Sequence, residues 1–283
     1  MPKSLRFILP LWFVLLLGAC SVQDHVIPSS DSCQVTEFLD GLDYYKLAPG
    51  ETVTIGQVVT GRLYTWPVLG IIKIGDDSYA VGGPDAITTY EYDSQGRVKR
   101  TVNQTPRAFS GATFYNEYSY EPGKIIVTTI QDLPVRPKPD TLVRTLQLTS
   151  DGLVIDPKVT YENGFVVERR YDAYSQTYTV SNGNVIKFVE GPYYAGSSYL
   201  VYDYKFDITK ANPIPAIYPF NGKSDANLLT EYQSKDQNGD TADVKVHYLH
   251  EAEGRVYKVD YVKRPQQPDL LLIDRYTLNC PTY

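Results

Sequence analysis

Hydrophobic and polar residues alternate in short runs along most of the chain, and the runs break at glycine. In residues 90–98, tyrosines alternate with acidic residues, the alternation stops at Gly96 and it resumes towards Val98. The same pattern recurs at residues 118–125, 146–154, 159–166, 178–185 and 246–257. Alternation with a period of two indicates half-buried β-strands. A glycine-bearing turn between two such runs predicts a β-hairpin.

Consecutive hairpins form a meander, so the sequence predicts an all-β fold. We expect one antiparallel β-meander over residues 33–283, strongly twisted and curled or barrel-like, because curling protects the edge strands of a sheet. Two proline-rich stretches, 133–139 and 212–219, cannot donate along a strand ladder and are expected to be connections. A short helical turn is expected at residues 225–229.

The N-terminal residues predict export and lipid attachment. Lys3 and Arg6 precede an apolar run, 7–17, that is too short to cross a bilayer, which takes about 20 residues. This arrangement is typical of a signal peptide. The run ends in Leu-Gly-Ala-Cys20, which resembles a bacterial lipobox, so residues 1–19 are the predicted leader and Cys20 the lipidated residue. An ordinary secretory leader with an incidental cysteine is the alternative.

Lipid on Cys20 would place the protein in the cell envelope, with the outer membrane as the expected membrane and the leaflet left open. A single acyl chain binds membranes only marginally. Bacterial lipoproteins that resemble this pattern carry two or three chains, which is enough for stable anchoring. Residues 20–32 are polar and contain Pro28, so they are predicted to form a flexible tether.

Two cysteines remain once Cys20 is assigned to lipid. Cys33 lies at the start of the repetitive region and Cys280 lies near the end of the chain. Exported proteins fold in an oxidising compartment, where an even number of cysteines favours disulfide formation. We therefore predict a disulfide between Cys33 and Cys280, with two buried free thiols as the alternative.

Charge narrows the choice of partners. The chain carries 33 acidic residues against 27 Lys and Arg, a formal net charge of −6. Nucleic-acid-binding proteins show basic stripes, and docking on anionic lipid also needs basic clusters. The membrane contact is therefore expected to run through the N-terminal lipid, and no nucleic acid is expected as a partner.

The sequence contains no constellation that indicates catalysis, a metal or a cofactor. His247 and His250 lie three apart in a predicted strand, which places them on opposite faces. Residues 236–243 resemble a calcium loop in composition but fail the EF-hand spacing, so an Asn-Gly turn is expected. No carboxylate is expected in an apolar segment that would raise its pKa.

Several hairpin units are similar to YD repeats, also called Rhs-like repeats. The matching residues are Tyr90-Glu-Tyr-Asp93 with Gly96-Arg-Val98, and Tyr248 with Gly254-Arg-Val256. In this degenerate form the units resemble those of exported lipoproteins of Bacteroidetes-type bacteria, over residues 87–262. The resemblance implies a β-meander with a porin-like or barrel-like curl and an outer-membrane lipoprotein. That family has no assigned reaction, so the resemblance implies no catalytic residue.

These observations favour a non-catalytic binding or scaffold protein of the cell envelope. One alternative is a glycan-binding surface lipoprotein that uses exposed aromatic rings, because such rings stack on sugars or contact peptides. Trp66, Tyr193 and Tyr194 are the candidate ligand-binding residues, and an envelope protein or a glycan is the expected partner. The other alternative is a hydrolase that uses paired carboxylates.

Overall fold

The computed structural model describes residues 33–106, 112–132, 139–191, 200–265 and 267–281. The predicted leader, Cys20 and the predicted tether lie outside them. The described residues form 18 strands, all paired antiparallel. The strands are β1 Gln34–Lys46, β2 Val58–Thr60, β3 Thr65–Ile74, β4 Asp77–Gly82, β5 Ala86–Tyr92, β6 Val98–Gln104, β7 Thr113–Glu121, β8 Lys124–Asp132, β9 Asp140–Gln147, β10 Val159–Glu162, β11 Phe165–Arg170, β12 Ser175–Ser181, β13 Asn184–Glu190, β14 Leu200–Ala211, β15 Asn227–Asp236, β16 Thr241–His250, β17 Arg255–Lys263 and β18 Leu270–Asn279.

The prediction of an all-β antiparallel meander is confirmed. Strands β5 to β9 pair in chain order, and strands β10 to β18 do the same. Strand β1 lies between β5 and β18 and pairs with both, so it joins the two meanders into one sheet. The free edges are β9 and β10. No pairing joins these two strands in the described part of the chain, and the sheet is not closed.

Strand β1 also connects a smaller sheet to the main one. Its first half pairs with β5, and residues 43–46 of its second half pair with β4, which in turn pairs with β3. The change of partner occurs at Gly41, which has a φ of 61°. A side chain at this position would collide with Asp85, so glycine lets the strand bend there.

The small sheet of β2, β3 and β4 packs over one face of the main sheet. The largest cluster of buried residues lies between β3 and β4 on one side and β1, β17 and β18 on the other. Its members are Leu39, Leu42, Ile72, Tyr79, Val81, Tyr257, Val259, Leu271 and Ile273. The less repetitive N-terminal part of the chain therefore supplies half of the main core.

The main sheet curls around residues 212–226, which we call the central segment. Phe220 packs against β8 through Ile125 and Val127, while the backbone N–H of Lys223 donates to Gly164 O beside β11, at 2.8 Å. Twelve strand spacings separate β8 from β11, roughly 58 Å in a flat sheet. Residues 220 to 223 span only about 10 Å. The two ends of the sheet must therefore approach each other, and the central segment lies on the concave face.

The predicted disulfide is confirmed, because Cys33 bonds to Cys280 beside the paired residues of β1 and β18. The predicted helical turn at 225–229 is wrong. Strand β15 begins at Asn227 and pairs with β14, and a 3-10 turn lies earlier, at Pro219–Asn221. Proline has a fixed φ that suits the first residue of such a turn. A second 3-10 turn lies at Ala252–Gly254, and neither of these two turns of the described ranges has the length and apolar character that a bilayer-crossing helix needs.

Candidate functional site

A row of five aromatic rings follows the concave face across four neighbouring strands. Tyr178 of β12 contacts Phe188 of β13 with ring centroids 5.2 Å apart, and Phe188 contacts Tyr202 of β14 at 5.6 Å. Tyr202 and Tyr204 are 6.1 Å apart, and both contact Tyr232 of β15, at 5.9 and 5.7 Å. Alternate residues of a strand share a face, so regular hairpins place these rings side by side. We call these five residues the ring row.

The ring row is only half-buried, so part of its surface is accessible. Burial raises the pKa of Tyr178, Tyr204 and Tyr232 above the ordinary tyrosine value. Their hydroxyl groups therefore stay protonated and can donate hydrogen bonds at neutral pH. Each tyrosine offers an apolar ring and a polar tip, the combination that suits a ligand with both apolar faces and hydroxyl groups.

Charged residues adjoin the ring row on the β15 side. The Tyr232 hydroxyl donates to Asp260 Oδ2 at 3.0 Å, and Lys258 Nζ lies 2.9 Å from Asp260 Oδ1. Asp260 is only 7% exposed, and the lysine compensates its charge. The ring row therefore ends beside the Asp260–Lys258 ion pair, and Asp260 fixes the Tyr232 hydroxyl through its hydrogen bond.

A second carboxylate, Asp274 of β18, lies one strand further on, opposite Lys258. Its Oδ1 accepts a hydrogen bond from the Gly41 backbone N–H at 3.2 Å. Burial raises the pKa of Asp274 to about 6, although that hydrogen bond and Lys258 oppose the shift. Asp274 can therefore carry or release a proton near neutral pH.

Five polar side chains of β5 to β8 hydrogen-bond to one another on the other half of the concave face. Asn103 Nδ2 donates to Thr88 Oγ1 at 2.8 Å, and Asn116 Nδ2 donates to Thr101 Oγ1 at 3.2 Å. Thr129 Oγ1 donates to Asn116 Oδ1 at 2.7 Å. These side chains therefore partly satisfy one another.

An open groove of about 1100 Å³ lies where the two edges of the sheet approach each other. Residues from the connection after β9, the β10–β11 hairpin, the β12–β13 turn and the central segment line it. They include Asp151, Leu153, Tyr161, Phe165 and Lys223. We call it the seam groove; its volume is large enough for a small organic ligand.

The predicted role of Trp66 as an exposed ligand-binding ring is wrong. Its indole is 3% exposed, and its Nε1–H donates to Asp43 Oδ2 at 3.0 Å. Val53, Val68 and Ala80 surround it in a small core under β2–β4. Burial of this ring stabilises the small sheet, and no ring face remains for a ligand.

The remaining predicted site residues have different outcomes. Cys20, Tyr193 and Tyr194 lie outside the described residues, so their roles stay predictions. His247 and His250 both lie in β16. Among the residues that the structure describes, no group of three or more His, Cys, Asp or Glu side chains could hold a metal ion.

Sequence reasoning missed Asp274, although a signal was present. The expectation that no carboxylate lies in an apolar segment is wrong here. Asp274 directly follows the apolar run 270–273, is partly buried there, and has a pKa raised by that burial. Sequence reasoning also missed the ring row. Alternating tyrosines were evident, but the sequence did not indicate which strand faces form the concave side.

No family model matches the chain, and no curated protein matches it. Solved structures similar to it include a porin-like protein from Bacteroides uniformis ATCC 8492, 12% identical, with 87% of this chain and 98% of that chain covered and a TM-score of 0.47. Another is a porin-like protein from Bacteroides vulgatus ATCC 8482, 12% identical, with coverages of 89% and 100% and a TM-score of 0.29. Because both TM-scores are below 0.5, these matches carry no argument about activity or location.

Proposed function

We propose that this protein is a non-catalytic binding protein of the cell envelope, anchored by lipid at Cys20, and that its ring row binds a glycan chain. The lipobox resemblance supports the anchor, and the ring row carries the binding proposal. A pure scaffold has no need of half-exposed rings gathered on one concave surface. An accessible aromatic surface of this kind is typical of an interaction site.

The shape of the ring row favours an extended ligand. The rings lie on successive strands, and neighbouring strands are about 4.8 Å apart, so the row runs across the sheet rather than along one strand. A pyranose presents an apolar face of C–H groups and a rim of hydroxyls. The ring faces would contact the C–H groups, and the tyrosine hydroxyls would exchange hydrogen bonds with the rim.

Binding to a glycan array, followed by titration of the best ligand, tests this proposal. We expect Tyr204→Ala to weaken binding about tenfold, because loss of one stacking ring removes about 1.4 kcal/mol. The matched control is Tyr171→Ala, a ring that is 42% exposed and stacked on Tyr174 outside the ring row. Its affinity should equal that of the native protein. Absence of saturable binding, or equal losses in both variants, would contradict the proposal.

The anchor is tested separately by fractionating cells. The native protein should sediment with membranes and carry acyl chains in its mass spectrum. A Cys20→Ala variant should lack the chains and leave the membrane fraction, because charge alone gives this acidic protein no membrane affinity. A variant that stays in the membrane fraction would show that another contact holds it there.

Glycoside hydrolysis is the second candidate, favoured by the pKa of about 6 for Asp274. A carboxylic acid with a raised pKa is suited to protonate a leaving group, and a second, ionised carboxylate completes the pair. Asp260, which forms an ion pair with Lys258, would be that partner. Release of reducing ends from a bound glycan, abolished in Asp274→Asn while binding persists, would favour this reaction over simple binding.

A further inference from the structure

The seam groove is a cavity distinct from the ring row. It opens between the two free edges of the sheet, and no strand pairing covers it within the described ranges. Its lining is mainly apolar and contains Leu153, Tyr161, Phe165 and Pro219. Ligand pockets of proteins measure about 300–1,000 Å³ and are lined mainly by apolar groups. The seam groove, at about 1100 Å³, can hold a flexible apolar chain.

One positively charged side chain, that of Lys223, lines this groove in the described structure. Its backbone N–H donates to Gly164 O at 2.8 Å, which fixes the residue on the groove wall. Gly164 has a φ of 84°, and a side chain at that position would collide with the alkyl stem of Lys223. The ammonium group lies 5.7 Å from the centroid of the Phe165 ring. A backbone bond and an aromatic ring therefore position this cation at the apolar lining.

Lys223 has no ion-pair partner among the described side chains, in contrast to Lys158 and Lys205, which pair with Asp172 and Glu231. A negative charge also lines the groove, on Asp151 in the connection after β9. Asp151 is likewise without an ion pair in the described ranges. An anionic group in the groove would be attracted by Lys223 and repelled by Asp151, so its position is defined by both.

We propose that the seam groove binds a single-chain amphiphile with an anionic head group, of the fatty-acid class. The carboxylate would pair with Lys223 Nζ, and the acyl chain would lie against Tyr161, Phe165 and Leu153. The pairing is charge-assisted, and the Phe165 ring 5.7 Å from the ammonium group helps to position the cation. The bound acyl chain would cover the apolar lining of the groove and shield it from water, which favours binding.

Photolabelling of the full-length protein tests this proposal. A twelve-carbon fatty acid that carries a photoreactive diazirine is added to the purified protein, irradiated, and the labelled peptides are identified by mass spectrometry. We expect saturable labelling of residues 148–165 and 216–226. Laurate should compete with this labelling, and lauryl alcohol should compete at least fivefold less effectively. The alcohol has the same chain but no charge to pair with Lys223.

Two substitutions that remove charges of opposite sign make the test specific. Lys223→Gln should lower the apparent affinity for laurate about fivefold, and Asp151→Asn should raise it, while neither changes the affinity for lauryl alcohol. Lys210→Gln is the matched control, because this lysine belongs to β14, outside the groove, and should have no effect. All three residues are exposed, so folding should be retained.

Three outcomes would overturn the proposal: labelling that does not saturate, labelling that maps elsewhere, or equal competition by the acid and the alcohol. Glycan binding is independent of this result, because Tyr204→Ala should leave laurate labelling unchanged. Lys223→Gln should likewise leave glycan binding unchanged. Failure of one proposal is thus distinguishable from failure of the other.

Discussion

Asp43 holds the loop that precedes β3, and its removal should destabilise the small sheet. The carboxylate is 3% exposed. Its Oδ1 accepts from Tyr44 N at 2.9 Å, and its Oδ2 accepts from Leu63 N, Tyr64 N and Trp66 Nε1 at 3.0, 3.1 and 3.0 Å. Burial alone would raise the pKa of Asp43, but these four hydrogen bonds outweigh it and hold the pKa below its usual value.

The expected loss follows from which donors can reach water after substitution. Hydrogen bonds to a charged group contribute about 1.5–3 kcal/mol each, and a buried donor left without a partner costs about 1–3 kcal/mol. Leu63 and Tyr64 are exposed and can bond to water instead, whereas the Trp66 indole cannot. We therefore expect Asp43→Ala to lower the free energy of unfolding by about 3 kcal/mol, and Asp43→Asn by about half as much.

Urea unfolding, monitored by tryptophan fluorescence, measures this loss of unfolding free energy at the site itself. The chain contains two tryptophans, and Trp12 lies in the predicted leader, so Trp66 reports from the Asp43 site itself. The control is Asp203→Ala, a carboxylate whose side chain is 61% exposed and whose loss should change the free energy by less than about 0.5 kcal/mol.

The difference in unfolding free energy between the native protein and Asp43→Ala should depend on pH with a definite sign. Because the pKa of Asp43 is lowered on folding, its stabilisation is present above the unfolded pKa and is lost as the pH falls through the folded one. The difference between native protein and Asp43→Ala should be largest above about pH 4 and shrink below it. A loss under about 0.5 kcal/mol at neutral pH, or a difference that does not vary with pH, would refute the reasoning.

Three further predictions follow from other sites. Replacing Cys33 and Cys280 by serine should lower the free energy of unfolding by about 5 kcal/mol, since the disulfide closes a loop of 247 residues; equal urea midpoints with and without reductant would contradict this. Phe220→Ala should cost about 3–5 kcal/mol in a thermal melt, and Phe220→Leu about 1.5 kcal/mol or less. The pKa of Asp274 is raised to about 6, so burial favours its protonated form. The free energy of unfolding should therefore fall by about 2 kcal/mol as the pH rises from 4 to 6. Asp274→Asn should lack this fall, and parallel stability curves of the two proteins would argue against it.

The hairpins were predictable because their signals are local. The turn of residues 236–240 between β15 and β16 illustrates this, since Asp236 Oδ1 accepts from Asn238 N and Asp240 N within the turn itself. Alternation with a period of two and a turn residue with a positive φ act over a few positions, as at Gly239 with a φ of 85°. The disulfide was predictable for a different reason: once Cys20 is assigned to the predicted lipid, the sequence leaves only one pair of cysteines.

The sequence by itself determined the strand type, the chained hairpins, the antiparallel order within each meander and the pairing of Cys33 with Cys280. Only the tertiary structure decided the position of β1 between β5 and β18, because strands so far apart in sequence pair according to which faces they bury together. The same long-range packing set the curl around the central segment and made one face concave. That choice of face left the ring row accessible and placed Asp274 where burial raises its pKa, while the packing of the small sheet buried Trp66 against Asp43.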